Sequence, residues 1–249
     1  MPGSTDLSPV RLRQLVWAPL IGTLIGVVLV VAISTVWLSS AMRGGRPDFA
    51  ALQGSFYLNM AIIAAIYLPI TALFWNAAGK LTPAPAIRFF KPVSNRSVLL
   101  ALATGVAASL LCLGLEALLS STAGISFELS PAEKALFPAT PVQLGFAVVV
   151  MGFVGPFAEE FYFRGFLLQW LRQHMGAWPA IGLSALAFGL VHFFMLIHPG
   201  ASGWVTTGEI VGVGIVMGLW AVRTGSLWSS FAVHVGYNCV VVMQTFLPG

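Results

Sequence analysis

Charge is the scarcest property of this chain. Of its 249 residues only 8% are charged, 8 of them acidic and 12 basic. A soluble globular domain carries about a quarter charged residues, so there are too few here to cover a water-facing surface. That excludes a soluble enzyme. With 58% hydrophobic residues, a disordered chain is excluded too. The basic residues are spread along the chain and form no basic face, so the composition predicts no nucleic-acid partner. Cysteine is nearly absent. Cys112 and Cys239 both lie in apolar runs and read as small buried hydrophobes, which leaves no disulfide framework and no thiolate metal site. There is no HExxH zinc signature. No Asp lies in an apolar run, so Ser184, Ser229 and Ser230 have no acid with which to complete a serine triad.

What the chain has instead is long apolar runs, and its mean hydropathy is +0.91. A membrane-spanning helix needs about 20 apolar residues. Seven runs are candidates: 15–38, 56–78, 98–119, 142–158, 179–197, 210–222 and 227–247. The first exceeds the roughly 7–15 residues of a signal-peptide core, so it reads as a retained span. The stretch 161–174 sets Arg164, Gln169 and Arg172 among large apolar residues. It is amphipathic, and either lies in the membrane interface or continues the fourth span inward. These runs predict an all-α polytopic membrane helical bundle of about seven to eight transmembrane helices. With the N-terminus inside, nine Lys and Arg residues fall in inner segments and three in outer ones. The positive-inside rule therefore predicts residues 1–14 as a cytoplasmic tail and 15–249 as a single integral membrane domain. A plasma membrane of bacterial type fits this orientation. The Pro-rich, basic segment 81–96 reads as an inner-face connector.

Against this background the informative residues are ionisable groups at membrane depth. Each costs about 2.5–3.5 kcal/mol at a helix centre on insertion scales, so each is a functional candidate. Asp6, Asp48, Glu128 and Glu133 lie in tails or loops. Glu116 near the end of the third run and Glu209 at the start of the sixth can each reach an interface. Glu159 and Glu160 differ, being adjacent among aromatics in GPFAEEFYFRGF. Glu160 and Arg164 are four apart and share a helix face, which predicts an ion pair. Glu159 is rotated about 100° from that face and is left as the free carboxylate. Of the four histidines, His174 reads as solvated and His198, before Pro199, as interfacial. His192 lies within the fifth run. His234 lies within the seventh, with Asn238 four residues on along the same face. The depths of Glu159 and His234 agree. His192 matches them only if its helix starts later than drawn or is tilted.

A carboxylate beside a histidine can move a proton from water to a leaving amine. A second histidine and an amide can donate hydrogen bonds to an oxyanion. Alternatively, Glu159, His192 and His234 could hold a divalent metal such as zinc with one position open for water. The residue spacing leaves a metal-assisted and a metal-free glutamate mechanism equally open. A Glu–His proton relay in a transporter is a further reading, although the chain lacks the repeat symmetry it requires.

The order EEFYFRG, FGLVH, HVGYN resembles the three motifs of the CPBP intramembrane endopeptidases, also called Abi or CAAX prenyl protease-like proteins. Their pattern is EExxxR, FxxxH and HxxxN. It falls here on Glu159, Glu160 and Arg164, on Phe188 and His192, and on His234 and Asn238. The resemblance spans residues 159–238 and implies a catalytic core at about 142–247. It implies peptide-bond hydrolysis near the cytosolic face, with membrane lipids around the protein and a membrane-associated or lipidated protein, including prenylated CAAX-type chains, as substrate. Glu159 would activate water with help from His192, His234 and Asn238 would stabilise the oxyanion, and Glu160 with Arg164 would hold the site together. Both metalloprotease and metal-free mechanisms are associated with the family. Some members are instead linked to bacteriocin immunity or scaffolding, so a catalytically silent protein of the same fold is the alternative.

Overall fold

A computed structural model describes residues 12–40, 55–78, 91–129, 134–196 and 200–246. The tail before Leu12, most of the 81–96 connector, Glu133 and His198 lie outside the described residues. Among the described residues seven helices follow one another: α1 (Leu12–Ser40), α2 (Phe56–Ala78), α3 (Asn95–Ala123), α4 (Pro141–His174), α5 (Ala177–Leu196), α6 (Ala201–Thr224) and α7 (Leu227–Phe246). Among the described residues there is no β-strand. The expected all-α bundle is what forms.

Local chemistry sets several helix ends. Thr140 caps α4 by accepting from the Gln143 N–H, and Pro141 occupies the first turn, where its missing N–H is harmless. Ser94 caps α3 in the same way. Gly225, at φ 63°, closes α6 in the left-handed conformation, and α7 begins almost at once, at Leu227.

Five of the helices are long and apolar enough to cross a membrane: α1, α2, α3, α4 and α6. The apolar stretch of α5, Ala177–His192, is shorter. Large apolar side chains lie exposed along the outer helices, among them Leu24, Val36, Leu99, Leu111 and Trp178. Water would not tolerate so continuous a belt, whereas lipid does. The protein is an integral membrane protein.

Because lipid tails are as apolar as leucine, the helices must associate through close packing. Small residues make that possible at several crossings. Gly22 and Gly26 of α1 lie against Ile70 and Ile66 of α2, and Gly189 of α5 lies against Thr207 and Val211 of α6. The tightest crossing joins α3 to α7. A Cβ on Gly105 would run into the Val233 carbonyl oxygen, and one on Gly236 into that of Leu102. Two of the three glycines of the sixth run likewise serve close packing: Gly214 abuts Ala185 and Gly218 abuts Ile181, whereas Gly212 has no described neighbour within 4 Å.

Helix α4 is the axis around which α2, α5 and α7 pack. At 34 residues it measures about 50 Å, well beyond the roughly 30 Å hydrocarbon core. The amphipathic stretch 161–174 is its continuation and not a separate interfacial helix. Phe161, Phe163, Arg164, Phe166 and Leu168 are all buried in the bundle. Two π-helical stretches interrupt α4, at Val150–Val154 and Phe161–Leu167. Each wider turn misaligns backbone carbonyls, and a neighbouring helix supplies a donor. Asn238 Nδ2 on α7 donates to the Met151 carbonyl at 2.8 Å, and Ser184 Oγ on α5 donates to that of Phe163 at 2.9 Å. Such π stretches are frequent at functional sites, and here they bracket Glu159 and Glu160 on both sides.

Candidate active site

Glu159 and Glu160 lie mid-way along α4 on the short α-helical segment Gly155–Glu160. Glu160 is buried at 1% exposure, as is Arg164 one turn later. Arg164 Nη1 donates to Glu160 Oε1 at 2.9 Å, forming the expected pair. Arg164 Nη2 donates to the Gly214 carbonyl at 3.0 Å, which binds α4 to α6. The guanidinium also lies 4.6 Å from the centre of the Phe188 ring. Glu160 accepts further from Ser230 Oγ and from His234 Nδ1, the latter at 3.0 Å. One carboxylate thereby takes three charge-assisted or hydroxyl donors and ties α4 to α7, which is the satisfaction a buried ion pair requires.

Both histidines have their tautomers set by their partners. The ion-paired Glu160 only accepts, so His234 carries a proton on Nδ1 and turns Nε2 toward Glu159, 3.5 Å from Oε2. His192 Nδ1 lies 2.8 Å from the Phe188 carbonyl, which also only accepts. Its Nε2 is therefore the free nitrogen, and it faces Glu159 Oε1 at 3.8 Å. Phe188 fixes the ring positions. It packs edge-on to His234 at 5.7 Å and against His192 at 4.4 Å.

The two carboxylates therefore differ as the spacing predicts. Glu160 is sealed, whereas the Glu159 side chain keeps 11% exposure and that of His192 keeps 23%. Glu159 is not without partners, however. Tyr67 of α2 donates its hydroxyl to Oε1.

The depth of His192 is explained by the continuity of α4. Beyond Glu159 the helix runs on to His174, and α5 starts at Ala177, well before His192. The stretch from Glu159 down to the turn matches the stretch from the turn up to His192. A tight antiparallel turn at 175–176 therefore brings the two residues level. Ending the span at 158 places Glu159 too close to the turn. Asn238 is four residues beyond His234 on α7, with its amide on the Met151 carbonyl. His174 is exposed and bonds to the Trp170 carbonyl of its own helix. Glu209 is not at the start of its helix. The helix begins at Ala201, and Glu209 is buried, its Oε1 lacking a hydrogen-bond partner among the described residues.

Two residues of this constellation do not stand out in the sequence. Ser230 enters there only as a nucleophile, yet it is four residues before His234 and so shares its face, a spacing that could reveal it. Tyr67 gives no such signal, because nothing local in an apolar run says which tyrosine meets a carboxylate on another helix.

The donor types are those of a catalytic zinc site. Among the described residues, though, no group of three or more His, Cys, Asp or Glu side chains converges closely enough to hold a metal ion. The Glu159 oxygen nearest His192 accepts the Tyr67 hydroxyl.

A charge network buried in a membrane bundle, with one carboxylate open between two oriented imidazoles, is able to take up and release protons at membrane depth. Residues 141–240 match the Rce1-like family model, described as Type II CAAX prenyl endopeptidase Rce1-like. The matched residues run from α4 to most of α7, about two fifths of the chain, and they carry the three motifs described above. No curated protein and no solved structure matches the chain.

Proposed function

We propose that this protein is an intramembrane endopeptidase in which Glu159 activates water without a metal. The single observation behind this reading is the partly open Glu159 carboxylate facing Nε2 of both His192 and His234. In this mechanism Glu159 takes a proton from a water whose position His192 Nε2 fixes as acceptor. The water oxygen attacks the scissile carbonyl carbon, and the carbonyl electron pair moves onto oxygen. His234, when doubly protonated, keeps one N–H on Glu160 and offers the other to that oxyanion. Asn238, with its second amide hydrogen, is the other donor we assign. Collapse breaks the C–N bond, and the departing amine takes the proton held by Glu159. Glu160 and Arg164 hold His234 in place.

Substrates in this reading are membrane-associated or lipidated protein chains. A prenylated CAAX-type C-terminus is the first class to offer, since that is what the matched family's description names. The experiment is mass spectrometry of C-terminal peptides, with and without a prenylated Cys, incubated with detergent-purified protein. Wild type is expected to cleave, and to keep cleaving after exhaustive chelation. Glu159→Gln, which keeps an oxygen for the Tyr67 hydroxyl, and His192→Ala are expected to be inactive while unfolding at the wild-type temperature. Full activity in both variants would show the site assignment to be wrong, and loss of activity on chelation with recovery on adding zinc would replace the metal-free mechanism.

A further inference from the structure

We propose that Tyr67 is a positioning residue for the Glu159 carboxylate, supplied by the α1–α2 hairpin from outside the matched domain; the proposal rests on Glu159 being the general base.

Three observations carry it. First, the Tyr67 hydroxyl lies mid-way along an apolar helix, where an unbonded hydroxyl is costly. Its acceptor is Glu159 Oε1, on a different helix. Second, the ring has a prepared path. It lies across Gly155, one helical turn before Glu159, where a Cβ would sit 3.4 Å from its Cε2. With no side chain at 155, the phenol can run along α4 to the carboxylate. Third, the bond falls on the oxygen that faces His192, leaving Oε2 turned toward His234. The last torsion of a glutamate is broad and two-fold. Neither histidine holds the carboxylate at hydrogen-bond distance, at 3.8 and 3.5 Å, so the Tyr67 hydroxyl is what stops its rotation. A base misplaced by about 1 Å loses on the order of a hundredfold in rate.

The consequence is a separation of rate from binding. Tyr67→Phe keeps the ring on Gly155 and removes only the hydroxyl. Its kcat is expected to fall about ten- to a hundredfold, with KM within about twofold of wild type and an unchanged melting temperature. A merely structural tyrosine would move melting temperature and not kcat. The test compares wild type, Tyr67→Phe, Glu159→Gln and the double variant, full-length in detergent. Kinetics use the prenylated peptide, and infrared difference spectra read the carboxylate stretch. The expected spectrum is a shifted carboxylate band between wild type and Tyr67→Phe that vanishes when the pair is compared in the Glu159→Gln background. A kcat equal to wild type, or a large fall in melting temperature, overturns the proposal. If wild type cleaves no peptide, the proposed function fails for that substrate. The infrared comparison then decides about Tyr67 alone, and a band that does not move overturns it.

Discussion

Glu160 and Arg164 lie at 1% exposure inside a membrane bundle, where each would be intolerable alone. Together they are satisfied, because Glu160 also takes Ser230 and His234, and Arg164 also takes the Gly214 carbonyl. Removing one partner strands the other. Glu160→Gln leaves a buried guanidinium without its counter-charge, beside the Gly214 carbonyl and the Phe163 and Phe188 rings. Loss of one member of a buried pair costs about 3–5 kcal/mol. Arg164→Met should do similar harm by leaving the Glu160 carboxylate without its cation. The double variant Glu160→Gln, Arg164→Met removes both charges and keeps the volumes. Thermal unfolding in detergent is therefore expected to show the double variant more stable than either Glu160→Gln or Arg164→Met, a non-additivity diagnostic of direct coupling. If the double variant were as unstable as the sum, the pair would not be the unit of stability. The i, i+4 spacing of this pair is legible in the sequence because helix geometry is local. Its other partners are not, since Gly214 comes from α6 and Ser230 from α7, both far downstream in the chain.

At the scale of elements, the site depends on where α7 sits, and α7 is held against α3 at the Gly105–Gly236 crossing. A methyl at either position meets a carbonyl oxygen of the opposing backbone, not a side chain that can turn away. Gly236→Ala is therefore expected to push α7 outward, carry His234 off Glu160, lower the melting temperature by several degrees and reduce cleavage along with it. Gly114→Ala is the control: it lies on the same α3 helix with no described atom within 4 Å of its Cβ and should behave as wild type. Equal stability of Gly236→Ala and Gly114→Ala would show the crossing to be looser than described. Hydropathy finds a run in each of the seven described helices, because a run of apolar residues is a local property, but it starts the sixth at 210 where the helix begins at Ala201. It ends the fourth one too early, at the charged pair, because Glu159, Glu160 and Arg164 lower local hydropathy whether they meet water or one another. The π stretches are equally illegible. They depend on donors from other helices, Asn238 for Met151 and Ser184 for Phe163.

For the whole molecule the question is which end of the bundle faces the cytosol, and the charge distribution supplies an argument. The α4–α5 turn carries Arg172 and the exposed His174, and the α6–α7 turn carries Arg223. Lys91 joins this end, with Nζ donating to the Thr224 carbonyl at 3.1 Å and its own carbonyl accepting from Ser226. The opposite end, after α3, presents Glu128 and the loop that begins at Gly124. Basic residues gather on the inner side of membrane proteins, so we predict that the α4–α5 and α6–α7 turns are cytosolic and that α1 starts on the same side. Cysteine labelling in intact cells tests it. Cys112 and Cys239 are first replaced by alanine, and single cysteines are then placed at His174 and at Ser126. A membrane-impermeant maleimide is expected to label Ser126→Cys in whole cells, and His174→Cys only after the cells are opened. The reverse pattern would invert the bundle. Because Glu159 and His192 lie level with each other, each set back from the α4–α5 turn by the same stretch of its own helix, inversion would put that turn on the outer side of both. The labelling result therefore fixes which face of the membrane lies beyond the α4–α5 end of the site.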